Sequence, residues 1–94
     1  MREYELVFIV HPDLDTSAFD EIVERVQGWI KDEGGQVVKT DVWGKKQLAY
    51  PIRKKTEGQY VLIDTQLPPS AVHGIERNMN LLEPVMRFLI TGKE

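Results

Sequence analysis

Two periodicities alternate along this chain of 94 residues, and their order limits the possible folds more than any single residue does. Tyr4–Val10 (YELVFIV) is dense in β-branched and aromatic residues and is stopped by His11-Pro12-Asp13, which predicts a strand. Across Leu14–Glu33 the period changes. Phe19, Ile22, Val23, Val26 and Ile30 recur at the three- and four-residue spacings of an amphipathic helix. Asp13, Asp15, Thr16 and Ser17 offer oxygens to cap its first turn, and Gly34-Gly35 supplies a stop free of Cβ strain.

The second half repeats the alternation with one hairpin added. Gln36–Val42 and Lys45–Ile52 read as extended chain joined through Trp43-Gly44, where the glycine marks a bulge or bend. Pro51 requires a sheet edge, or a point where the chain leaves the ladder. Arg53–Gly58 is expected to be a loop and Gln59–Leu67 a strand. Pro68-Pro69-Ser70 opens a second helix bearing Val72, Ile75, Met79 and Leu82. Pro84 ends it, and Val85–Thr91 is a last strand. The order β-α-β-β-α-β, with right-handed crossovers, predicts a single α+β domain over residues 1–94. Its expected form is a ferredoxin-like split βαβ, with four antiparallel strands and both helices on one face.

Strand alternation then assigns the two faces of that sheet. Leu6, Phe8, Val10, Val61, Ile63, Phe88 and Ile90 form the more uniformly apolar rows and are expected beneath the helices. The opposite face carries Val7, Ile9, Tyr60, Leu62 and Leu89, with Glu5 and Arg87 among them. That is more apolar surface than an antiparallel sheet normally shows to water. It suggests a protein partner, against the plainer alternative of a few tolerated exposed aliphatics.

The residues carry no constellation for catalysis. There are no cysteines, which removes a thiol nucleophile and any cysteine-based metal site. His11 and His73 lack companions at metal-ligand spacing, and Asp13 and Asp15 are explained as helix caps. No phosphate-binding glycine loop or serine elbow occurs, so no catalytic residue, metal or cofactor is expected. No apolar run approaches the ~20 residues of a membrane span, and MREYELVFIVHPD lacks a secretory layout. A cytosolic protein is therefore expected.

The net charge of −3 argues at face value against nucleic acid, but the charges are segregated. Residues 1–35 carry a net of −6 and residues 56–94 a net of −2, whereas residues 36–55 carry +5 from Lys39, Lys45, Lys46, Arg53, Lys54 and Lys55 against Asp41. Within that stretch, Lys45-Lys46 and Arg53-Lys54-Lys55 flank a mainly apolar hexapeptide, with no acid between Gly44 and Lys55. Two roles fit such a segment. It is either a phosphate-contact site or an edge strand protected by lysines.

Gly44-Lys45-Lys46-Gln47-Leu48-Ala49-Tyr50-Pro51-Ile52 resembles the signature block of the bacterial small-subunit ribosomal protein six family. Met1-Arg2-Glu3-Tyr4-Glu5, His11-Pro12-Asp13 and Val85-Met86-Arg87-Phe88 resemble that family too, so the similarity runs through essentially the whole chain. The resemblance implies a non-enzymatic, ribosome-associated protein of ferredoxin-like fold. It implies binding to the central domain of small-subunit ribosomal RNA beside ribosomal protein eighteen, as a heterodimer, with no membrane and no small-molecule substrate. Arg2, Lys45, Lys46, Arg53, Lys54 and Arg87 become the expected RNA contacts, Arg2 and Arg87 chiefly through the resemblance. Val7, Ile9, Tyr60, Leu62 and Leu89 become the expected partner face.

Two departures qualify the transfer. Asn80 stands near the end of the second helix, where relatives often carry a basic residue. The chain stops at Thr91-Gly92-Lys93-Glu94, where many relatives extend into a polar tail, so the partner would depend more on the sheet. Two other functions share the fold. An acyl-phosphate hydrolase needs an anion cradle, for which the acidic, glycine-free HPDLDTSA stretch has the wrong chemistry. A small-molecule-binding regulatory domain that pairs sheets as a homodimer would account for the apolar face, but it would leave the basic segment with edge protection alone.

Overall fold

A computed structural model describes residues 1–93; Glu94, the last residue of the expected domain and of the terminal stretch, lies outside the described residues. Strands β1 (Arg2–Val10), β2 (Gln36–Ile52), β3 (Lys55–Leu67) and β4 (Val85–Gly92) form one antiparallel sheet in the order β2-β3-β1-β4. Helices α1 (Thr16–Asp32) and α2 (Val72–Asn80) are the crossovers, the second entered through a 3₁₀ turn at Pro69–Ala71. This is the ferredoxin-like β-α-β-β-α-β arrangement expected from the periodicities.

The core lies between the helices and one face of the sheet. Leu6, Phe8 and Val10 of β1 and Val61 and Ile63 of β3 meet Phe19, Ile22, Val26 and Ile30 of α1 and Ile75 and Met79 of α2. Phe88 and Ile90 of β4 pack at its margin, partly exposed because β4 is an edge. Thr65, the one buried polar residue of the core rows among the described residues, donates its hydroxyl to the carbonyl of Gln36 at 2.6 Å, which satisfies it.

The ends of α1 follow from local chemistry. Of the four candidate caps the structure uses Asp15, whose carboxylate accepts from the Ala18 N–H at 2.8 Å. Asp13 is not a cap, contrary to expectation. Its carboxylate pairs with Lys55 Nζ at 2.9 Å, across from the β2–β3 hairpin. At the other end Gly34 adopts φ 82°, the Gly34 N–H reaches Lys31 O at 3.0 Å, and the Gly35 N–H reaches Ile30 O at 2.9 Å. These bonds make a Schellman stop, which needs the left-handed conformation a glycine adopts without cost.

The hairpin differs most from the sequence-based expectation. No Arg53–Gly58 loop forms. β2 reaches Ile52, β3 begins at Lys55, and only Arg53 and Lys54 turn, at φ 51° and 64°. Positive φ at both central residues marks the tight turn whose twist matches a hairpin. For residues with a Cβ that conformation costs about 1–2 kcal/mol each. Glycine and asparagine are the usual signals, so the RKKTEG composition concealed it. Before the turn, Leu48–Pro51 on β2 stand opposite Thr56 alone on β3, because register is lost between Gln47 and Ile52. Pro51 supplies no ladder N–H, and as an outer strand β2 tolerates the bulge.

That bulge corrects the expected open face. Ile9 was placed there by alternation, yet it is only 8% exposed. Its row is right, since it pairs with Tyr60 and Arg87, but the hairpin covers it. A Cβ added at Gly58 would lie 2.2 Å from Ile9 Cγ2 and 3.6 Å from Leu48 Cδ2, so the glycine lets the arm close over this side chain. Val7, Tyr60 and Leu62 are half-buried, and Leu89 is 61% exposed.

Candidate nucleic-acid interface

The basic residues gather where the β2–β3 hairpin extends past Val10 and reaches the start of β4. Arg53 donates from Nη1 to Glu83 O at 2.8 Å and from Nη2 to Val85 O at 3.4 Å, fastening the turn to the last crossover. Arg87 donates to the Tyr50 hydroxyl, and its guanidinium carbon lies 5.9 Å from that ring's centre. Both cations are therefore held by neutral groups, which fix their position and leave their charge uncompensated. Lys46 and Lys54 are exposed. Among the described residues no carboxylate pairs with Lys46, Arg53, Lys54 or Arg87.

The other two expected contacts lie elsewhere. Lys45 and Lys46 are consecutive on a strand and point to opposite faces. Lys46 pairs with Gly58, in the row of Tyr60 and Leu62, and so sits on the open face. Lys45 pairs with Gln59 on the helix-bearing side, where its charge is felt by Asp13. There Lys55 holds the Asp13 carboxyl below its ordinary range, chiefly by its hydrogen bond and then by its charge. Arg2 begins β1 opposite Leu67, at the far end of the sheet. At ~3.3 Å per residue it is roughly 26 Å along the strand from Val10.

Sequence reasoning missed two aromatic residues of this region. Trp43 and Gly44 together oppose Tyr60, because a bulge between Val42 and Gly44 inserts one residue into β2. With Gly44 at φ 80°, the Trp43 ring stacks on Tyr60 with centroids 6.1 Å apart and planes 15° from parallel. Tyr50, the partner of Arg87, comes from the larger bulge. Its position in a basic block was the available signal; its aim toward β4 had none. Asn80 lines the cleft that holds Arg53 and Arg87, in the place expected for a basic residue in relatives.

The open face thus offers two kinds of surface. One is a cleft of about 280 Å³ lined by Val7, Ile9, Arg87, Phe88 and Leu89. The other is the aromatic and basic area around Trp43, Tyr60 and Lys46. Among the described residues no three His, Asp, Glu or Cys side chains are grouped to hold a metal, and no helix is long and apolar enough to cross a membrane.

The family described as Ribosomal protein S6 matches residues 3–91. The chain belongs to the ribosomal protein S6 family. It is accordingly a structural ribosomal protein and not an enzyme. Small ribosomal subunit protein bS6 of Moorella thermoacetica is 44% identical over 94 residues, spanning 100% of this chain and 96% of that protein. The protein of the same name from Thermobifida fusca is 45% identical, over 100% and 98%. The crystal structure of 30S ribosomal protein S6 from Thermotoga maritima superposes with a TM-score of 0.94 at 26% identity, over 98% of this chain and 87% of that one. The bulged block Gly44–Ile52, which most resembled the S6 family in sequence, also supplies Lys46 and the Tyr50 hydroxyl to the basic end of the sheet.

Proposed function

We propose that this chain is a structural constituent of the small ribosomal subunit, acting as a single domain that binds the central domain of the small-subunit ribosomal RNA. Its protein partner is ribosomal protein eighteen, held as a heterodimer, and its location is on the ribosome in the bacterial cytoplasm. Arg2, Lys45, Lys46, Arg53, Lys54 and Arg87 contact phosphates and sugars. Lys46, Arg53, Lys54 and Arg87 form the centre of the site, and Lys45 and Arg2 reach RNA that passes around the sheet. Val7, Tyr60, Leu62 and Leu89 receive the protein partner, with Ile9 supporting them from beneath.

One observation carries this reading: at the hairpin end Arg53 and Arg87 are fixed by carbonyls and a phenol, and among the described residues neither they nor Lys46 and Lys54 beside them pair with a carboxylate. Positive charge held in place and not neutralised suits displacement of counterions from a folded RNA. With ~4–6 phosphate contacts the intrinsic affinity is modest, so a protein partner supplies the remainder.

The chain should co-sediment with small ribosomal subunits on a sucrose gradient. Replacing Lys46, Lys54 and Arg87 together by alanine should weaken binding to a central-domain RNA fragment. The slope of log affinity against log salt should flatten by about 2–3. An unchanged slope would remove these residues from the site.

A further inference from the structure

The aromatic pair on the open face is unexplained by phosphate contacts. Trp43 is 46% exposed although its ring lies beside that of Tyr60, offset and nearly parallel. An open groove of about 540 Å³ lies against it, lined by Trp43, Lys46, Gln47 and Tyr60. Its lining residues include two aromatic rings and one ammonium, with no aliphatic and no acidic residue. The neighbouring cleft is more aliphatic, with Val7, Ile9 and Leu89 lining it beside Phe88 and Arg87. A bare aliphatic surface suits a protein side chain, whereas a fixed π-face beside an uncompensated cation suits a nucleobase and its phosphate.

We propose that Trp43 is a stacking platform for one unpaired RNA base, with Lys46 at the adjoining phosphate. The inference rests on the RNA-binding reading above and adds to it a contact with single-stranded RNA. The local fold builds the platform in advance. The bulge at Trp43-Gly44 sets two residues opposite Tyr60, and the stack on Tyr60 limits the freedom of the indole before any ligand arrives. Lys46 projects from the same face as Tyr60, two residues beyond Gly44, and is continuous with the basic end formed by Arg53, Lys54 and Arg87. Stacking tolerates any base, so the site selects for an unpaired nucleotide more than for its identity.

The test uses the full chain and two probes: a central-domain RNA fragment and an unstructured oligoadenylate. Trp43→Ala should weaken oligoadenylate binding about tenfold with its salt slope unchanged, because stacking displaces no counterions. Trp43→Phe should recover most of the loss. In a Trp29→Phe background, where Trp43 is the sole indole, oligoadenylate should quench its fluorescence. If the fragment binds normally while Trp43→Ala loses nothing and no quenching occurs, stacking is overturned and the RNA reading stands. If neither probe binds the wild-type chain, both fall. Loss of ribosomal protein eighteen binding by Trp43→Ala, with RNA affinity intact, would make the groove a protein contact and overturn the proposal.

Discussion

Two cross-strand rows through neighbouring residues of β1 are equally apolar in the sequence and differ sharply in the structure. Phe8 pairs with Val61 and Phe88 under the helices and is fully buried. Val7, the preceding residue, pairs with Leu62 and Leu89 in a row as apolar as the first, yet Leu89 is 61% exposed. The difference is the cover. Both helices lie on the Phe8 side, and only the hairpin arm reaches the other, where it closes over Ile9 and stops. Apolar side chains are therefore largely buried in one row and left partly exposed in the other.

Paired substitutions test that contrast most directly. Phe8→Ala removes a ring with no exposed surface and should cost about 3–5 kcal/mol, read as a lower denaturant midpoint. Leu89→Asp should change stability by less than about 1 kcal/mol, while abolishing association with ribosomal protein eighteen in a pull-down. A large loss of stability for Leu89→Asp would mean that the open row is structural after all. Retained association would place the partner elsewhere.

The turn residues extend the comparison to the hairpin arm. Arg53→Ala gives up two hydrogen bonds to the carbonyls of Glu83 and Val85 and should cost about 1 kcal/mol, with faster amide exchange in the arm. Lys54→Ala, next to it and equally strained, has no such bonds to lose and should stay within about 0.5 kcal/mol.

The smallest effect belongs to Asp13. Its carboxyl titrates below the ordinary 3.8 because Lys55 favours the ionised form, so the pair contributes stability above that pH. The contribution is lost as pH falls through the depressed value. Asp13→Asn should remove this acid-side dependence, and 1 M salt should mute it in the wild type, since the pair is exposed and screened.

Much of this was legible in the chain. Period two against period 3.6 located β1, α1 and β4 within a few residues. Gly34-Gly35 announced the end of α1, and Pro51 pointed to a sheet edge or a break in the ladder, both of which occur in β2. The charge split identified Lys45–Lys55 as the unusual segment. Where the reading failed, the cause was non-local. Asp13 looks like a cap in its own tetrapeptide, and only the folded hairpin brings Lys55 to it. Arg53-Lys54 carries no turn residue, because contacts with Glu83 and Val85, distant in sequence, help hold the strained conformation. Lys45 and Lys46 read as one patch until a strand sends them to opposite faces.

The sequence by itself determined the element order, the two apolar rows of the sheet and the concentration of positive charge. Each of these is a property of neighbours along the chain, where periodicity and composition act. The tertiary structure alone decided that Ile9 is buried, that Trp43 lies beside Tyr60 and that Arg53 and Arg87 are held by uncharged partners. These depend on bulges and on the reach of a hairpin across the sheet. One inserted residue there re-aims a side chain without altering the pattern from which the strand was recognised.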